Sequence, residues 1–185
     1  MTLVVLTVGH SNRTLEDFLA LLQAHGVEKV IDVRRFPSSR RHPHFNGPAL
    51  SAALAAVGIG YRHIPELGGR RTPCPDSVHT AWKTAGFQGY ADHMETPAFQ
   101  AALEAVLAEA AQACITLMCA EALPWRCHRR LIADALLVRG IQVEHIRDLQ
   151  RRERHRLTPW ARVEGTRLIY AGPAVLWDAL PARSG

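Results

Sequence analysis

The amino-acid sequence predicts an α/β fold: a single domain with a mainly parallel sheet of about five strands and helices on both faces. Three observations carry this expectation. Short apolar runs rich in β-branched residues alternate with segments of helical periodicity. The runs are continuously apolar, as in strands covered on both faces. Alternating strands and helices form right-handed βαβ units, which place successive strands parallel. A chain of 185 residues suits one well-buried core. We expect an α/β domain over 1–150 and an arginine-rich extension over 151–185 packing on the same domain.

The elements follow in order. Leu3 to Val8 is the first strand; with no basic segment or small-residue cleavage site, it does not resemble a signal peptide. Thr14 caps a helix with Glu16 and Asp17 in its first turn and Phe18, Leu19 and Leu22 at helical spacing, and Gly26 closes it. Val27 to Val33 is the second strand. Asn46-Gly47-Pro48 opens a helix through Leu50, Leu54 and Val57 to Gly58, and Ile59 to Ile64 is a third strand stopped by Pro65. The stretch from Glu66 to about Gly89, rich in Gly, Pro and Thr, is expected to be an irregular functional lid or mobile segment. Thr96-Pro97 starts a helix with Phe99, Ala102, Leu103, Val106 and Leu107 on one face. Cys114 to Met118 is a fourth strand. Pro124 opens a helix through Leu131, Ile132, Ala135 and Leu136 to Gly140, and Ile141 to Ile146 is a fifth strand. In the tail, Leu168 to Tyr170 and Val175 to Trp177 are expected to add an edge strand and a short helix.

Composition narrows the function classes. No apolar stretch approaches the ~20 residues of a membrane span, so no membrane partner is expected. Cys74, Cys114, Cys119 and Cys127 are not spaced as a disulfide framework, which points to a reducing, cytoplasmic setting. The net charge of +5 is carried almost wholly by arginine, Lys29 and Lys83 being the only lysines. Arginine pairs bidentately with phosphate and stacks on bases, although a codon bias would also enrich it. Three groups stand out: Arg34, Arg35, Arg40 and Arg41; Arg126, Arg129 and Arg130; and Arg151, Arg152, Arg154 and Arg156. Such a charge permits a nucleic-acid partner without requiring one. No cofactor is implied, and the sequence does not fix the oligomeric state.

Ligands of parallel sheets bind outside the carboxyl ends of the strands. Here those ends are polar: His10-Ser11-Asn12-Arg13, Asp32-Val33-Arg34, Pro65-Glu66 followed by Gly68-Gly69-Arg70-Arg71, and Cys119-Ala120-Glu121. We expect them to converge on one rim. In Cys119 to Arg129, a strand end, loop and helix start carry two cysteines, with Cys127 expected in the first helical turn. There the helix dipole, Arg126, His128 and Arg129 would favour a thiolate. The loop differs from phosphatase and rhodanese loops, since Glu121 adds negative charge and Pro124 removes a donor. A metal held by Cys119, Glu121, Cys127 and His128 matches no standard zinc spacing, so no metal is expected. Without chemistry, Cys119 would be a small core residue, as Cys114 is taken to be. Glu121 and Asp32, beside apolar strands, are ion-paired, protonated or catalytic, the last by activating water or stabilising a developing cation. His10 and Asn12 are candidates to orient a reacting group, and Ser11, Arg13, Arg34, Arg40, Glu66, Tyr90 and Arg129 to bind substrate. The loop His42 to Asn46 has the cation-and-aromatic texture of a nucleic-acid contact, and Phe87 and Tyr90 lie among glycines, suited to stacking or lid packing. His145 and His155 receive no functional role.

Taken together, Thr7 to Arg13, Asp32-Val33-Arg34 with Pro37 and Ser39, Pro65 to Gly69, Gly89-Tyr90, Met118 to Glu121 and Cys127-His128-Arg129 resemble the domain-of-unknown-function family 488, from about Thr7 to about Asp148. The resemblance implies a compact α/β domain with these segments as its site, and no activity. The residues themselves lead first to an enzyme acting on nucleic acid or a nucleotide-like substrate, a DNA-repair candidate among them. It would cleave an N-glycosidic or phosphodiester bond with water activated by Glu121 or Asp32. A thiol enzyme using Cys127 or Cys119, assisted by His128, is the second expectation. A non-enzymatic anion- or metal-binding module is the third.

Overall fold

A computed structural model describes residues 3–172. The expected βα alternation is present: β1 (Val4–Gly9), α1 (Leu15–Ala24), β2 (Lys29–Asp32), α2 (Gly47–Ala56), β3 (Gly60–His63), α3 (Ala85–Met94), α4 (Pro97–Ala110), β4 (Ile115–Cys119), α5 (Arg129–Leu137) and β5 (Gln142–Ile146). The fold is α/β, built on a six-stranded, mainly parallel sheet in the order β3-β2-β4-β1-β5-β6. Its sixth strand, β6 (Arg152–Arg154), comes from the arginine-rich tail and runs antiparallel to β5. A separate hairpin, β7 (Arg162–Glu164) with β8 (Arg167–Ile169), follows. The strand expected at Leu168 is therefore a hairpin arm rather than a sheet edge, and the helix expected at Val175 lies outside the described residues.

Local chemistry explains the elements. The Thr14 side chain accepts the Asp17 backbone N–H at 3.1 Å, and Gly26, Gly58 and Gly140 end their helices with positive φ. Two apolar layers sandwich the sheet. On one face Leu6, Val8, Val30 and Met118 meet Phe18, Leu22, Leu50 and Leu54 of α1 and α2. On the other, Val5, Ile31, Ile115 and Leu117 meet Phe99, Leu103, Leu131 and Ile132 of α4 and α5.

Two local expectations need correction. The stretch to Gly89 is not wholly irregular, because α3 begins at Ala85. Gly86 and Gly89 lower helix propensity and hid it. Gly89 is there for closeness: a Cβ would lie 2.5 Å from the Arg71 carbonyl oxygen. Nor is Cys127 in a helical turn. Pro124 opens a 3₁₀ turn over Pro124–Arg126, Cys127 is extended (φ −130°, ψ 150°), and α5 starts only after His128.

The topology locates a crevice. From β1 the chain crosses towards β2, whereas from β4 it crosses the other way to β5, and β1 and β4 are neighbours. Diverging connections open a gap beyond the two carboxyl ends. The backbone pairing continues into it, His10 N–H donating to Cys119 O at 2.9 Å and Ser11 N–H to Ala120 O at 3.0 Å. Gly9 permits the approach, since a Cβ would overlap Glu121 O at 1.9 Å.

Candidate active site at the switch point

A cavity of about 710 Å³ opens at this crevice, within the size range of small-molecule sites. The strand ends do converge on it: His10, Ser11 and Asn12 after β1, Arg34 after β2, Gly69 and Arg70 beyond β3, and Cys119, Glu121, Cys127 and His128 around β4. Among the described residues only Ser11 (φ 51°) and Arg70 (φ 59°) are non-glycine residues with positive φ, and both line the cavity. Left-handed backbone at such residues is strained, and strain of this kind gathers at functional sites.

The floor is a thiol pair. Cys119 Sγ and Cys127 Sγ are 2.8 Å apart, and both side chains are buried. Arg129, 1% exposed, donates from Nε to Cys119 Sγ at 2.9 Å, from one terminal nitrogen to Thr7 Oγ1 at 3.0 Å, and from the other to Glu121 O at 2.6 Å. Among the described residues none of its hydrogen-bond partners is a carboxylate. A guanidinium stays protonated, and a buried one needs a negative partner. Among the described residues the ionisable partners of its charge are the two sulfurs. Burial opposes ionisation of Cys127, but the Cys119 thiol, the Arg129 charge and the Arg129 backbone N–H outweigh it and lower Cys127 to about 7. Burial, and then the bond to Cys127, push Cys119 the opposite way. The two thiols are thus shifted in opposite directions, with the Arg129 guanidinium favouring negative charge on the sulfurs it faces.

His128 stands beside the pair. Its Nε2 donates to Val33 O at 2.9 Å, which leaves Nδ1 as an acceptor 3.5 Å from Cys127 Sγ. Burial lowers its basicity, so the ring is neutral. Tyr90 packs against the ring at 5.2 Å between centroids. Tyr90 is itself fully buried, its hydroxyl donating to Leu67 O, so it supports His128 and does not reach the cavity as a substrate ligand.

Behind Arg129 runs a buried polar chain that the sequence analysis does not anticipate. Thr7 Oγ1, which accepts from Arg129, lies 2.7 Å from His145 Nδ1, its cross-strand neighbour. His145 Nε2 is 3.0 Å from His155 Nδ1, and His155 Nε2 is 2.8 Å from Asp134 Oδ1. Tyr170 donates to Asp134 Oδ2 at 2.8 Å. One orientation satisfies every link: Thr7 donates to His145, His145 to His155, and His155 to Asp134. Burial, then the neighbouring His155, lower His145 to about 3, so it is neutral. The signal lay in Asp134, a carboxylate on the apolar face of α5, but its partners come from three distant segments.

Several candidate residues occupy other roles. Asp32 is fully buried and outside the cavity lining. Its oxygens accept from Arg34 at 2.9 and 2.6 Å and from Tyr61 at 2.7 Å, which leaves no place for a water to be activated. Glu121 is exposed rather than buried, with Oε1 accepting from the Leu123 N–H at 3.1 Å; among the described residues it is the sole carboxylate on the lining. His10 stacks on Phe45 at 4.1 Å, and both its nitrogens are engaged, with Ser11 O and Arg34. Burial lowers it to about 4, so it is a neutral wall. Arg13 donates to Gly9 O, Arg40 and Glu66 are exposed away from the lining, and Arg34 lines the cavity while bound to Asp32. Among the described residues, the rim cations without a carboxylate partner are instead Arg35, which donates to Arg70 O, Arg70 and Arg126, none of which was a candidate ligand. Phe36, 59% exposed, and Phe87, stacked on Trp82, add two aromatic faces. Among the described residues no group of three or more His, Cys, Asp and Glu side chains is placed to hold a metal ion.

None of the curated proteins and none of the solved structures compared with the chain matches it. A family model, described as "Domain of unknown function DUF488", matches residues 14–136. That span contains the thiol pair, His128, Arg129 and Asp134; the β1 turn and His145 lie outside it. The match covers β2, β3 and β4 of the sheet and both helical layers, and the chain belongs to the DUF488 family.

Proposed function

We propose that the chain is an enzyme whose nucleophile is the Cys127 thiolate, acting on an anionic, ring-bearing substrate of nucleotide size, free or within a nucleic acid. The observation that carries the reading is Arg129: a buried guanidinium, without a carboxylate partner among the described residues, set against two sulfurs. A thiolate held in this way is ionised near neutral pH and opens onto the cavity. Arg35, Arg70 and Arg126 favour a phosphate at the mouth, and Phe36 and Phe87 offer faces for a ring. In the reaction the Cys127 sulfur bonds to the electrophilic atom of the substrate as the leaving group departs. Cys119 supplies a proton, and neutral His128 is placed to relay it through Nδ1.

A second reading keeps hydrolysis of an N-glycosidic or phosphodiester bond by water that Glu121 activates. Its support is that Glu121 is exposed on the cavity wall, unlike Asp32. A screen of nucleotides and of modified DNA and RNA oligonucleotides separates the two. On the thiol reading Cys127→Ser loses at least about a hundredfold in turnover and Glu121→Gln keeps most of it. The reverse pattern selects the carboxylate.

A further inference from the structure

The two sulfurs at the floor of the cavity have a second chemistry open to them. They touch at 2.8 Å, so a covalent S–S bond of about 2.05 Å requires less than an ångström of closure. Cys127 sits in an extended residue between a 3₁₀ turn and α5, at a joint rather than within a helix. Both cysteines line the cavity, and Cys127 is the more exposed of the two at 6%.

We propose that Cys119 and Cys127 form a reversible dithiol–disulfide couple, exchanging with low-molecular-weight disulfides that enter the cavity. In the first step the Cys127 thiolate attacks one sulfur of the incoming disulfide, forms a mixed disulfide and releases one thiolate. In the second the Cys119 sulfur, giving up its proton, attacks Cys127, closes the internal bond and releases the second thiol. Two protein sulfurs are oxidised by two electrons, and one disulfide is reduced to two thiols. Reduced glutathione reverses both steps.

Arg129 sets the direction in which this couple leans. Oxidation removes the negative charge beside a buried guanidinium that has no carboxylate among the described residues to replace it. The reduced form is therefore the stabilised one, which makes the disulfide a good oxidant and readily reduced. Under reducing conditions the pair rests as dithiol, ready for the nucleophilic role. An excess of small disulfide closes it and stops that role. The inference rests on the same ionised pair as the proposed function, but not on any substrate.

The test uses the chain with Cys74, the exposed thiol, changed to Ser, and oxidised glutathione as the probe. The expected product has lost two hydrogens, with both Cys119 and Cys127 protected from alkylation, and reduced glutathione restores them. Cys119→Ser should stop one step earlier, with a single glutathione on Cys127. If the chain with both cysteines also stops at that mixed disulfide, or does not react, the couple is overturned. The equilibrium against glutathione at different pH examines the ionised pair separately. With one sulfur already ionised, oxidation by glutathione disulfide consumes a proton. The constant for oxidation should then fall tenfold per pH unit from about pH 7 until glutathione itself ionises. A flat profile with a disulfide still formed supports the couple and removes the ionised-pair reading.

Discussion

At the residue scale, burial alone does not identify a catalytic charge; what pairs with it does. Asp32, Arg34 and Arg129 are all buried, yet Arg34 answers Asp32 while Arg129 has, among the described residues, only sulfur, hydroxyl and carbonyl partners. Asp32→Asn leaves the Arg34 charge unpaired, and removing one member of such a pair costs about 3–5 kcal/mol. Chemical denaturation should register that loss, whereas alkylation of Cys127 in the protein that still folds should keep its pH profile. An Asp32→Asn protein of full stability would show that the pair does not matter to the fold. The sequence placed Asp32 and Glu121 at strand ends correctly, but could not tell the saturated carboxylate from the exposed one. That difference depends on Tyr61 and Arg34 for one, and on a loop N–H for the other.

At the element scale, β1, α1, α2, α4 and the parallel strands were legible because each carries its own signal: a continuous apolar run, a capping Thr14 or Thr96, or a closing glycine. α3 was not, because Gly86 and Gly89 weaken its helical signal, and Gly89 serves a contact 18 residues away in the chain. Gly89→Ala would force a Cβ into the Arg71 and Thr72 backbone, and overpacking of this kind costs about 1–3 kcal/mol. Because α3 brings Gly86 and Phe87 to the cavity, weaker binding of anionic probes should accompany the lost stability. A variant with unchanged thermal unfolding would contradict the tight fit. The rim was legible for a topological reason, since the polar ends of parallel strands must gather on one side. The chain from Thr7 to Asp134 was not, because its members meet only through the pairing of β1 with β5, the turn after β6, and the face of α5.

At the scale of the whole molecule, the buried neutral histidines tie stability to pH. His10 and His145 refuse protons in the fold down to about 4 and about 3 respectively, while the unfolded chain binds them below about 6.5. The unfolded state therefore holds more protons in that window. Stability falls as pH drops from about 6.5 towards 4, by about 1.4 kcal/mol per unit for each ring. Cys127 acts in the same sense at higher pH, its contribution being lost as pH falls from about 8.5 through about 7. Urea midpoints should decline steadily from mildly alkaline to mildly acidic solution. A midpoint that held level or rose would mean that these groups titrate normally in the fold.

The most direct measurement is the ultraviolet absorbance of thiolate, followed against pH in the Cys74→Ser chain and in the same chain with Cys127→Ser. One thiolate per molecule should appear with a midpoint near pH 7, well before any other sulfur ionises, and it should vanish with Cys127. If no thiolate forms until the pH of ordinary cysteines, Arg129 has some other counter-charge and the nucleophile assigned here is not one.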